Sequence, residues 1–239
     1  MVSAGPVERA FVAGATGLTG REVVRALRAR NVETIAHARP NSQALERLRP
    51  YFEELSASID ETPWELEALT ETMRRLRPTL VFALLGTTRK RAKAEDGLGA
   101  KEAYERIDYG LSAMLLRAVQ GAGIRPRFVY LSSLGVKEGA KSPYFAVRAR
   151  FERELRESGL PFTIVQPSFI VGERDDPRPA ERIGARIADA GLSLIAALGA
   201  KHLASRLRSV DARTLGELLV DVALSPEHEG KTLRMDDLR

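Results

Sequence analysis

The segment GATGLTG, Gly14–Gly20, constrains the fold more than any other part of the chain. It follows the apolar run RAFVA and precedes the amphipathic run REVVRALRAR, so the sequence predicts a strand, a tight glycine turn and a helix. A dinucleotide pyrophosphate requires this arrangement, because glycines let the backbone approach it and the helix N-terminus offers free N–H groups. The spacing is GxxGxxG rather than the GxGxxG of the common dinucleotide fingerprint.

We therefore predict that this turn binds a dinucleotide cofactor. The alternative is a glycine turn with a structural role only. The strand before the turn and the helix after it lie where cofactor binding requires them, which favours the first interpretation. The predicted binding residues are Gly14, Ala15, Thr16, Gly17, Leu18, Thr19 and Gly20.

Further apolar runs alternate with helical patterns along the chain. They are Val32–Ala38, Thr79–Leu85, Arg127–Ser133 and Pro161–Pro167. Continuous apolar strands separated by amphipathic helices are typical of a parallel sheet covered on both faces. The sequence thus predicts a Rossmann-type, doubly wound α/β fold with one domain over residues 1–239, in which residues 168–210 form a small lid or substrate segment.

Composition argues against several classes of protein. The chain has no cysteine and its three histidines show no paired spacing, so we expect neither disulfides nor a metal site. The net charge of +5 comes mostly from arginines spread along the chain, whereas a nucleic-acid binder would concentrate them in a stripe. No run has the apolar length of a signal peptide or a transmembrane segment. We expect a cytoplasmic protein that does not bind nucleic acid.

The end of the second predicted strand carries the signal for cofactor type. An NAD-specific fold places an acidic residue there for the ribose 2′-hydroxyl, but this chain has AHARPNS, with Arg39 and no nearby acid. A guanidinium matches a 2′-phosphate in charge and shape, so NADP(H) is favoured over NAD(H); the alternative is a solvent-facing arginine. Asp60, after a predicted third strand, either meets the adenine amino group or caps the following helix.

Several segments, in order along the chain, carry a resemblance to a known family. They are LGTTRKRA (Leu85–Ala92), RIDYG (Arg106–Gly110), FVYLSSLGV (Phe128–Val136), SPYFAVRARFERE (Ser142–Glu154), QPSFIVGERDDPRPAE (Gln166–Glu181) and, more loosely, RSVDARTLGELL (Arg208–Leu219). Together with the glycine turn, they make the chain resemble the atypical short-chain dehydrogenases/reductases. The resemblance is strongest to the branch that contains the Tat-interacting oxidoreductase and its bacterial relatives.

The resemblance implies an NADP(H)-bound Rossmann domain and a set of site residues. The loop that would pass along the cofactor is Leu85, Gly86 and Thr87. Ser133 would hold the substrate oxygen, Tyr144 would exchange the proton, and Arg148 would occupy the place of the usual lysine. Tyr144 and Arg148 would also contact the cofactor. An N-cap serine followed by Pro143 starts a helix here, which places Tyr144 in its first turn.

Arg148 departs from the family pattern. Tyrosine has an unperturbed pKa near ~10, so proton exchange at neutral pH needs a nearby positive charge, and residues four apart share a helix face. Arginine supplies the charge, but it is larger than lysine, planar, and unable to release a proton. The alternative is that Tyr144 only packs in the first turn, that Arg148 is solvated, and that Ser133 only caps a turn.

Three functions follow as hypotheses. The first is an NADP(H)-dependent oxidoreductase acting on an unidentified small carbonyl or hydroxyl compound. The second is a non-catalytic NADP(H)-responsive binding protein, which the replacement at Arg148 favours. The third is an epimerase or dehydratase acting on a sugar nucleotide, but the short portion after Pro167 leaves little protein to hold one. Residues 184–200 have the apolar spacing of a helix and could line the substrate site, form a homodimer seam or touch a membrane surface.

Overall fold

A parallel β-sheet forms the centre of the protein, whose computed structural model describes residues 8–87, 99–168, 170–171 and 210–238. Within these ranges, seven strands belong to it: Arg9–Ala13 (β1), Glu33–His37 (β2), Ser58–Asp60 (β3), Leu80–Ala83 (β4), Arg127–Leu131 (β5), Phe162–Gln166 (β6) and Lys231–Arg234 (β9). Their order is β3-β2-β1-β4-β5-β6-β9. A separate parallel pair joins Ile170–Val171 (β7) to Val210–Asp211 (β8).

Helices connect these strands in the sequence order expected of a doubly wound fold. They are Leu18–Ala29 (α1), Gln43–Glu54 (α2), Leu66–Leu76 (α3), Ala100–Ala103 (α4), Ser112–Gly121 (α5), Pro143–Glu157 (α6) and Ala212–Leu224 (α7). A π-helical stretch, Tyr104–Leu111, runs without a break between α4 and α5. Short 3₁₀ turns cover Pro226–His228 and Met235–Leu238.

The helices bury two apolar cores, one on each face of the sheet. Neighbouring side chains of a strand point to opposite faces, and in β1 Val12 belongs to one core while Phe11 belongs to the other. The first core packs under α1, α2 and α7 through Leu27, Phe52 and Leu219. The second packs under α3, α5 and α6 through Met73, Leu116 and Phe151. The predicted doubly wound α/β fold is confirmed.

Among the described elements, α7 and β9 fall outside the predicted order, and so does the strand pair β7–β8. β9 is short and contains KTLR, in which only Leu233 is buried, so it lacks the apolar run that marks the inner strands. Among the described strands it lies at the end of the sheet and pairs with β6 alone, which explains the weak pattern, because an edge strand needs less apolar surface.

The predicted lid or substrate segment, 168–210, lies almost wholly outside the described residues, and so does the part of LGTTRKRA from residue 88 onward. Across the ranges that the structure describes, no helix has the length and apolarity needed to cross a membrane.

Candidate dinucleotide and active site

The predicted site residues leave the sheet at one edge. Every pairing in the sheet is parallel, and Ala13, the last residue of β1, lies opposite His37 of β2 and Ala83 of β4. The carboxyl ends of β1, β2, β3, β4 and β5 therefore lie at the same edge of the sheet. Open α/β sheets bind their ligands outside the carboxyl ends of the strands, so this edge holds the candidate site.

The glycine turn is compressed between β4 and the start of α1. Gly14 has a φ of +87°, which is in the left-handed region that favours glycine. A Cβ at Gly14 would lie 2.7 Å from the carbonyl oxygen of Leu84, and one at Gly20 would lie 2.0 Å from the carbonyl oxygen of Gly14. Both positions require glycine, because no side chain fits between these backbone segments.

The N-terminus of α1 offers free donors to an anion. Gly17 is the N-cap and provides no side-chain cap, and the first turn carries no acidic residue. The first intrahelical hydrogen bond is donated by the amide of Arg21 to the carbonyl oxygen of Gly17, so the amides of Leu18, Thr19 and Gly20 have no partner within the helix. Uncapped amides at the positive end of a helix, next to a turn without side chains, fit a dinucleotide pyrophosphate.

Arg39 and Asp60 lie at the ends of neighbouring strands. Arg39 is exposed, two residues beyond the end of β2. Asp60 ends β3, and its carboxylate accepts hydrogen bonds from the backbone amide of Thr62 (3.2 Å) and the hydroxyl of Thr62 (3.0 Å). The N-cap of α3 is Glu65, so the alternative role of Asp60 as the cap of the following helix is wrong.

His37 is a buried residue of this edge that no sequence pattern singles out. Its Nε2 lies 2.9 Å from the carbonyl oxygen of Thr62, so this nitrogen carries the proton, and Nδ1 is buried with no hydrogen-bond partner among the described residues. The ring packs against Phe11 and against the edge of Trp64, with centroid distances of 5.1 and 4.9 Å. Burial lowers the pKa of His37, against the opposing effects of the Thr62 carbonyl and the Asp60 carboxylate.

The loop after β4 is held by a carboxylate from the π-helix. The backbone amide of Thr87 donates to Oδ2 of Asp108 at 3.1 Å. A Cβ at Gly86 would lie 2.9 Å from Nη2 of Arg148 and 3.4 Å from Oδ1 of Asp108. Glycine at this position therefore leaves the space that the side chains of Arg148 and Asp108 occupy.

Arg148 is buried, and its guanidinium is fixed inside the protein. Its Nη2 donates to Oδ1 of Asp108 at 2.7 Å, and its Nη1 donates to the carbonyl oxygen of Leu131 at 2.9 Å and to the hydroxyl of Tyr130 at 3.4 Å. Only 6% of its side chain is exposed, and none of that of Asp108. The alternative interpretation of Arg148 as a solvated arginine is wrong.

The charges in this cluster stabilise one another. Burial favours the neutral form of Arg148, but the oxygens of Tyr130, Tyr144 and Asp108 outweigh it, so the pKa of Arg148 is raised. Burial also raises the pKa of Asp108, while Arg148 and the amide of Thr87 oppose that shift. Burial raises the pKa of Tyr130, so its phenol stays neutral. Since arginine cannot lose its proton in a protein, a positive charge is permanent at this position.

The π-helical stretch brings a second aromatic ring and several polar groups against α6. The ring of Tyr104 packs edge-on against that of Tyr144, with 5.3 Å between the centroids. Glu105 pairs with Arg150 at 2.6 Å, and the hydroxyl of Tyr109 donates to Glu154 at 2.5 Å. Stretches of π-helix are rare and are frequent at functional sites. This one positions both Asp108 and Tyr104.

Tyr144 lies in the first turn of α6, as predicted, and is partly buried. The guanidinium carbon of Arg148 lies 4.7 Å from the centroid of its ring. Of the two serines after β5, Ser132 is buried and its hydroxyl donates to Glu152 at 2.5 Å. Ser133 is partly exposed at the strand end, and its carbonyl oxygen accepts from the amide of Val136.

The structure thus brings one group of the predicted residues together. They are Gly86, Thr87, Tyr144 and Arg148. Asp108, which was not predicted, bonds to Thr87 and Arg148, and Arg148 contacts Tyr144. Ser133, Arg39 and Asp60 lie at the same edge of the sheet, at the ends of other strands.

Comparisons with known proteins agree with this description. The family described as NAD(P)H-binding matches residues 14–191. A protein of Aspergillus oryzae named fmp52-1, mitochondrial, is 29% identical over 175 residues, which are 70% of this chain and 68% of that protein. The protein of Aspergillus niger named fmp52, mitochondrial, is 28% identical over 180 residues, which are 71% and 70% of the two chains.

A solved structure described as AtPrR2 with NADP+ and (+)pinoresinol shares the fold. It superposes with a TM-score of 0.67 at 15% identity, covering 98% of this chain and 72% of that one.

The fold and the glycine turn define a nicotinamide-dinucleotide-binding protein of the Rossmann type. The chain belongs to the NAD(P)H-binding family, and the resemblance to atypical short-chain dehydrogenases is confirmed at that level. The prediction of a cytoplasmic location is contradicted, because the curated relatives are named mitochondrial. That prediction depended on the lack of an apolar signal segment, which mitochondrial transit peptides, being amphipathic and arginine-rich, do not need.

Proposed function

We propose that this protein is an NADP(H)-dependent oxidoreductase that acts on a small carbonyl or hydroxyl compound. The observation that carries the proposal is the contact between the guanidinium of Arg148 and the ring of Tyr144, 4.7 Å apart in the first turns of α6. Arginine cannot lose its proton in a protein, so a permanent cation lies beside the phenol that would exchange a proton with the substrate oxygen. Tyr144 is then suited to proton transfer.

The roles of the other residues follow from their positions. When bound, the dinucleotide supplies or accepts the hydride. Tyr144 exchanges the proton with the substrate oxygen, and Ser133, at the end of β5, donates a hydrogen bond that orients this oxygen. The amides at the N-terminus of α1 hold the pyrophosphate, and the loop from Leu85 to Thr87 passes along the cofactor.

Arg148 has a different role in this proposal from the lysine it replaces. Its Nη1 and Nη2 already bond to Leu131 and Asp108, so it acts as a positioning residue rather than as a ligand of the nicotinamide ribose. It fixes the ring of Tyr144 on one side and, through Asp108, the amide of Thr87 on the other.

We assign the preference for NADP(H) over NAD(H) to Arg39. It is exposed at the carboxyl end of β2, where the ribose 2′ position is recognised in this fold. Its planar donor fork and fixed charge suit a phosphate.

A second candidate function is that of a non-catalytic NADP(H)-binding protein. Arg148 is held inside the protein by its hydrogen bonds to Leu131 and Asp108, which favours this second function. Among the described residues, no other basic group contacts Tyr144, so no second cation is available to assist proton exchange. In this case the cofactor would bind, but Tyr144 would serve only to pack against Tyr104.

Turnover of NADPH by the wild type and by Tyr144→Phe separates the two functions. The purified protein is assayed for NADPH oxidation with a panel of aldehydes and ketones, and its NADPH affinity is measured by calorimetry. As an oxidoreductase, it oxidises NADPH with at least one compound, and the phenylalanine variant loses about 10²-fold or more in kcat at unchanged NADPH affinity. NADPH binding without turnover on any compound supports the second function instead.

A further inference from the structure

A pocket of about 270 Å³ lies beside the edge strand β9, away from the glycine turn. Four segments line it: the turn after β5, the helix α6, the last residue of β6, and β9. Its residues include Lys137, Glu138, Glu152, Arg156, Gln166 and Arg234. The predicted dinucleotide and catalytic residues contribute nothing to this lining.

Buried hydrogen bonds hold the wall of the pocket in place. Glu152 is 4% exposed, and its Oε1 accepts from the hydroxyl of Ser132 at 2.5 Å and from Nε2 of Gln166 at 2.9 Å. Its Oε2 accepts from Nη2 of Arg156 at 2.8 Å. Three donors, one of them a paired cation, thus occupy most of the roughly four acceptor positions of this carboxylate, so Glu152 is an internal part of the wall.

These contacts orient Arg156 and leave some of its N–H donors unused. Its Nη2 also donates to the hydroxyl of Thr232 at 3.1 Å, so two lining groups fix the plane of the guanidinium. A guanidinium has five N–H donors, and those on Nε and Nη1 bond to no residue in the described ranges. These donors, on a side chain that is 40% exposed, are available to a ligand.

Two further cations line the pocket without an acidic partner. Lys137 comes from the turn after β5, and Arg234 ends β9, opposite Gln166 in the strand register. Within the part of the chain that the structure describes, neither forms an ion pair. Because Arg156 neutralises Glu152 and only Glu138 remains as an acid, the lining keeps an excess of positive charge.

The alternation of β9 directs Arg234 towards the pocket. Leu233 belongs to the core under α1 and α7, so Thr232 and Arg234 face the other side, where the pocket lies. Lys231 has the parity of Leu233 and is exposed. The same strand therefore carries one basic residue in the pocket and one outside it.

We propose that this pocket binds a small oxyanion, a carboxylate or a phosphate, held by Lys137, Arg156 and Arg234. The volume is slightly below the ~300 Å³ of the smallest typical ligand sites, which suits a compact metabolite and not a nucleotide. The lining also suits an oxyanion, since it offers hydrogen-bond donors and an excess of positive charge. Planar donor forks such as those of two arginines bind carboxylate and phosphate with two parallel hydrogen bonds.

Calorimetric titration of the full chain tests the proposal, with succinate and inorganic phosphate as probes at constant ionic strength. Either probe binds saturably to the wild type, and the tighter one identifies the preferred oxyanion. Arg234→Gln and Lys137→Gln each weaken binding roughly tenfold or more, because each removes a charge-assisted hydrogen bond. Lys231→Gln removes the same charge from the same strand outside the pocket and leaves affinity unchanged.

Three results overturn the proposal. One is the absence of saturable binding of both probes to the wild type. Another is equal weakening in Lys231→Gln and Arg234→Gln, which indicates general attraction by charge. The third is loss of binding in Arg39→Ala but not in Arg234→Gln, which puts the anion in the dinucleotide site. None of these results depends on NADPH turnover, so failure here is distinguishable from failure of the proposed oxidoreductase.

Discussion

Arg148 and Asp108 form an ion pair inside the protein, with 2.7 Å between Nη2 and Oδ1 and exposed fractions of 6% and 0%. Asp108 also accepts from the amide of Thr87, and the guanidinium of Arg148 contacts the ring of Tyr144. The pair thus connects the loop after β4 to the first turn of α6. Arg148 is therefore a structural tie between two parts of the candidate site.

Removing one partner of this pair is expected to destabilise the protein strongly. Arg148→Met leaves the carboxylate of Asp108 buried without its cation, which costs about 3–5 kcal/mol of the free energy of unfolding. The double variant Arg148→Met/Asp108→Asn costs less than the sum of the single changes, because no unpaired charge remains. Urea denaturation of the three variants measures the coupling.

A partly exposed pair that also joins α6 to the π-helical stretch is the matched control. Arg150 and Glu105 lie 2.6 Å apart, with exposed fractions of 36% and 43%, and Arg150→Met is expected to cost about 1 kcal/mol or less. A cost for Arg148→Met no larger than that for Arg150→Met would contradict the structural role given to the buried pair.

Arg148→Lys is expected to lower stability without restoring a lysine-type site. An ammonium is a point donor and cannot reach both Asp108 and the carbonyl oxygen of Leu131 in the geometry of the guanidinium. The loss is about 1–3 kcal/mol, read as a lower midpoint in urea. A lysine variant with wild-type stability and higher NADPH turnover would mean that arginine restrains a competent scaffold.

Gly86→Ala is expected to disturb the cluster through a single methyl group. The new Cβ would lie 2.9 Å from Nη2 of Arg148, and neither Arg148 nor Asp108 can retreat without losing hydrogen bonds. We expect a loss of about 1–3 kcal/mol in the free energy of unfolding, together with weaker NADPH binding. Gly99→Ala is the control, because a Cβ there meets nothing within 4 Å. Equal stability of the two variants would contradict this packing.

The local patterns of the sequence were enough to predict the sheet and the glycine turn. Strand, turn and helix each leave a signal in consecutive residues, and Gly14 and Gly20 prove to be positions that only glycine fits. The start of α6 at Pro143 and the place of Tyr144 in its first turn follow from one dipeptide.

The partner of Arg148 could not be predicted in the same way. Asp108 lies 40 residues away in the sequence, on a stretch whose π-helical geometry leaves no known mark in the residue pattern. The segment RIDYG carried the resemblance, but an aspartate within an amphipathic helix is more often solvated than buried. His37 was missed for a related reason, since a histidine at a strand end has no periodic signal.

Acidification is expected to destabilise the protein through His37. Burial lowers the pKa of its ring in the folded state, so below the unfolded pKa of about 6.5 the unfolded chain binds a proton that the folded chain does not. The contribution of His37 is therefore fully present above pH 6.5 and is lost as the pH falls through that value towards the folded pKa. The slope from this group is at most about 1.4 kcal/mol per pH unit.

Urea denaturation of the wild type and His37→Gln between pH 5 and 8 measures this slope. Glutamine keeps an amide donor for the carbonyl oxygen of Thr62 but does not titrate. The difference between the two slopes isolates His37, since the other titrating groups are common to both proteins. Parallel pH profiles would show that His37 takes up its proton equally in the folded and unfolded states.

Arg39→Ala is expected to weaken NADPH binding and to leave NADH binding unchanged. A charge-assisted hydrogen bond to a phosphate is worth about 1.5–3 kcal/mol, so the dissociation constant for NADPH should rise roughly tenfold or more. The fluorescence of Trp64, the only tryptophan, reports binding, because its ring packs against His37 beside the end of β3. Arg49→Ala, which removes an exposed arginine paired with Glu61 at 2.6 Å, is the control. If Arg39→Ala weakens the binding of both cofactors equally, Arg39 contacts a part of the cofactor that NADPH and NADH share. The assignment of Arg39 to the 2′-phosphate is then wrong.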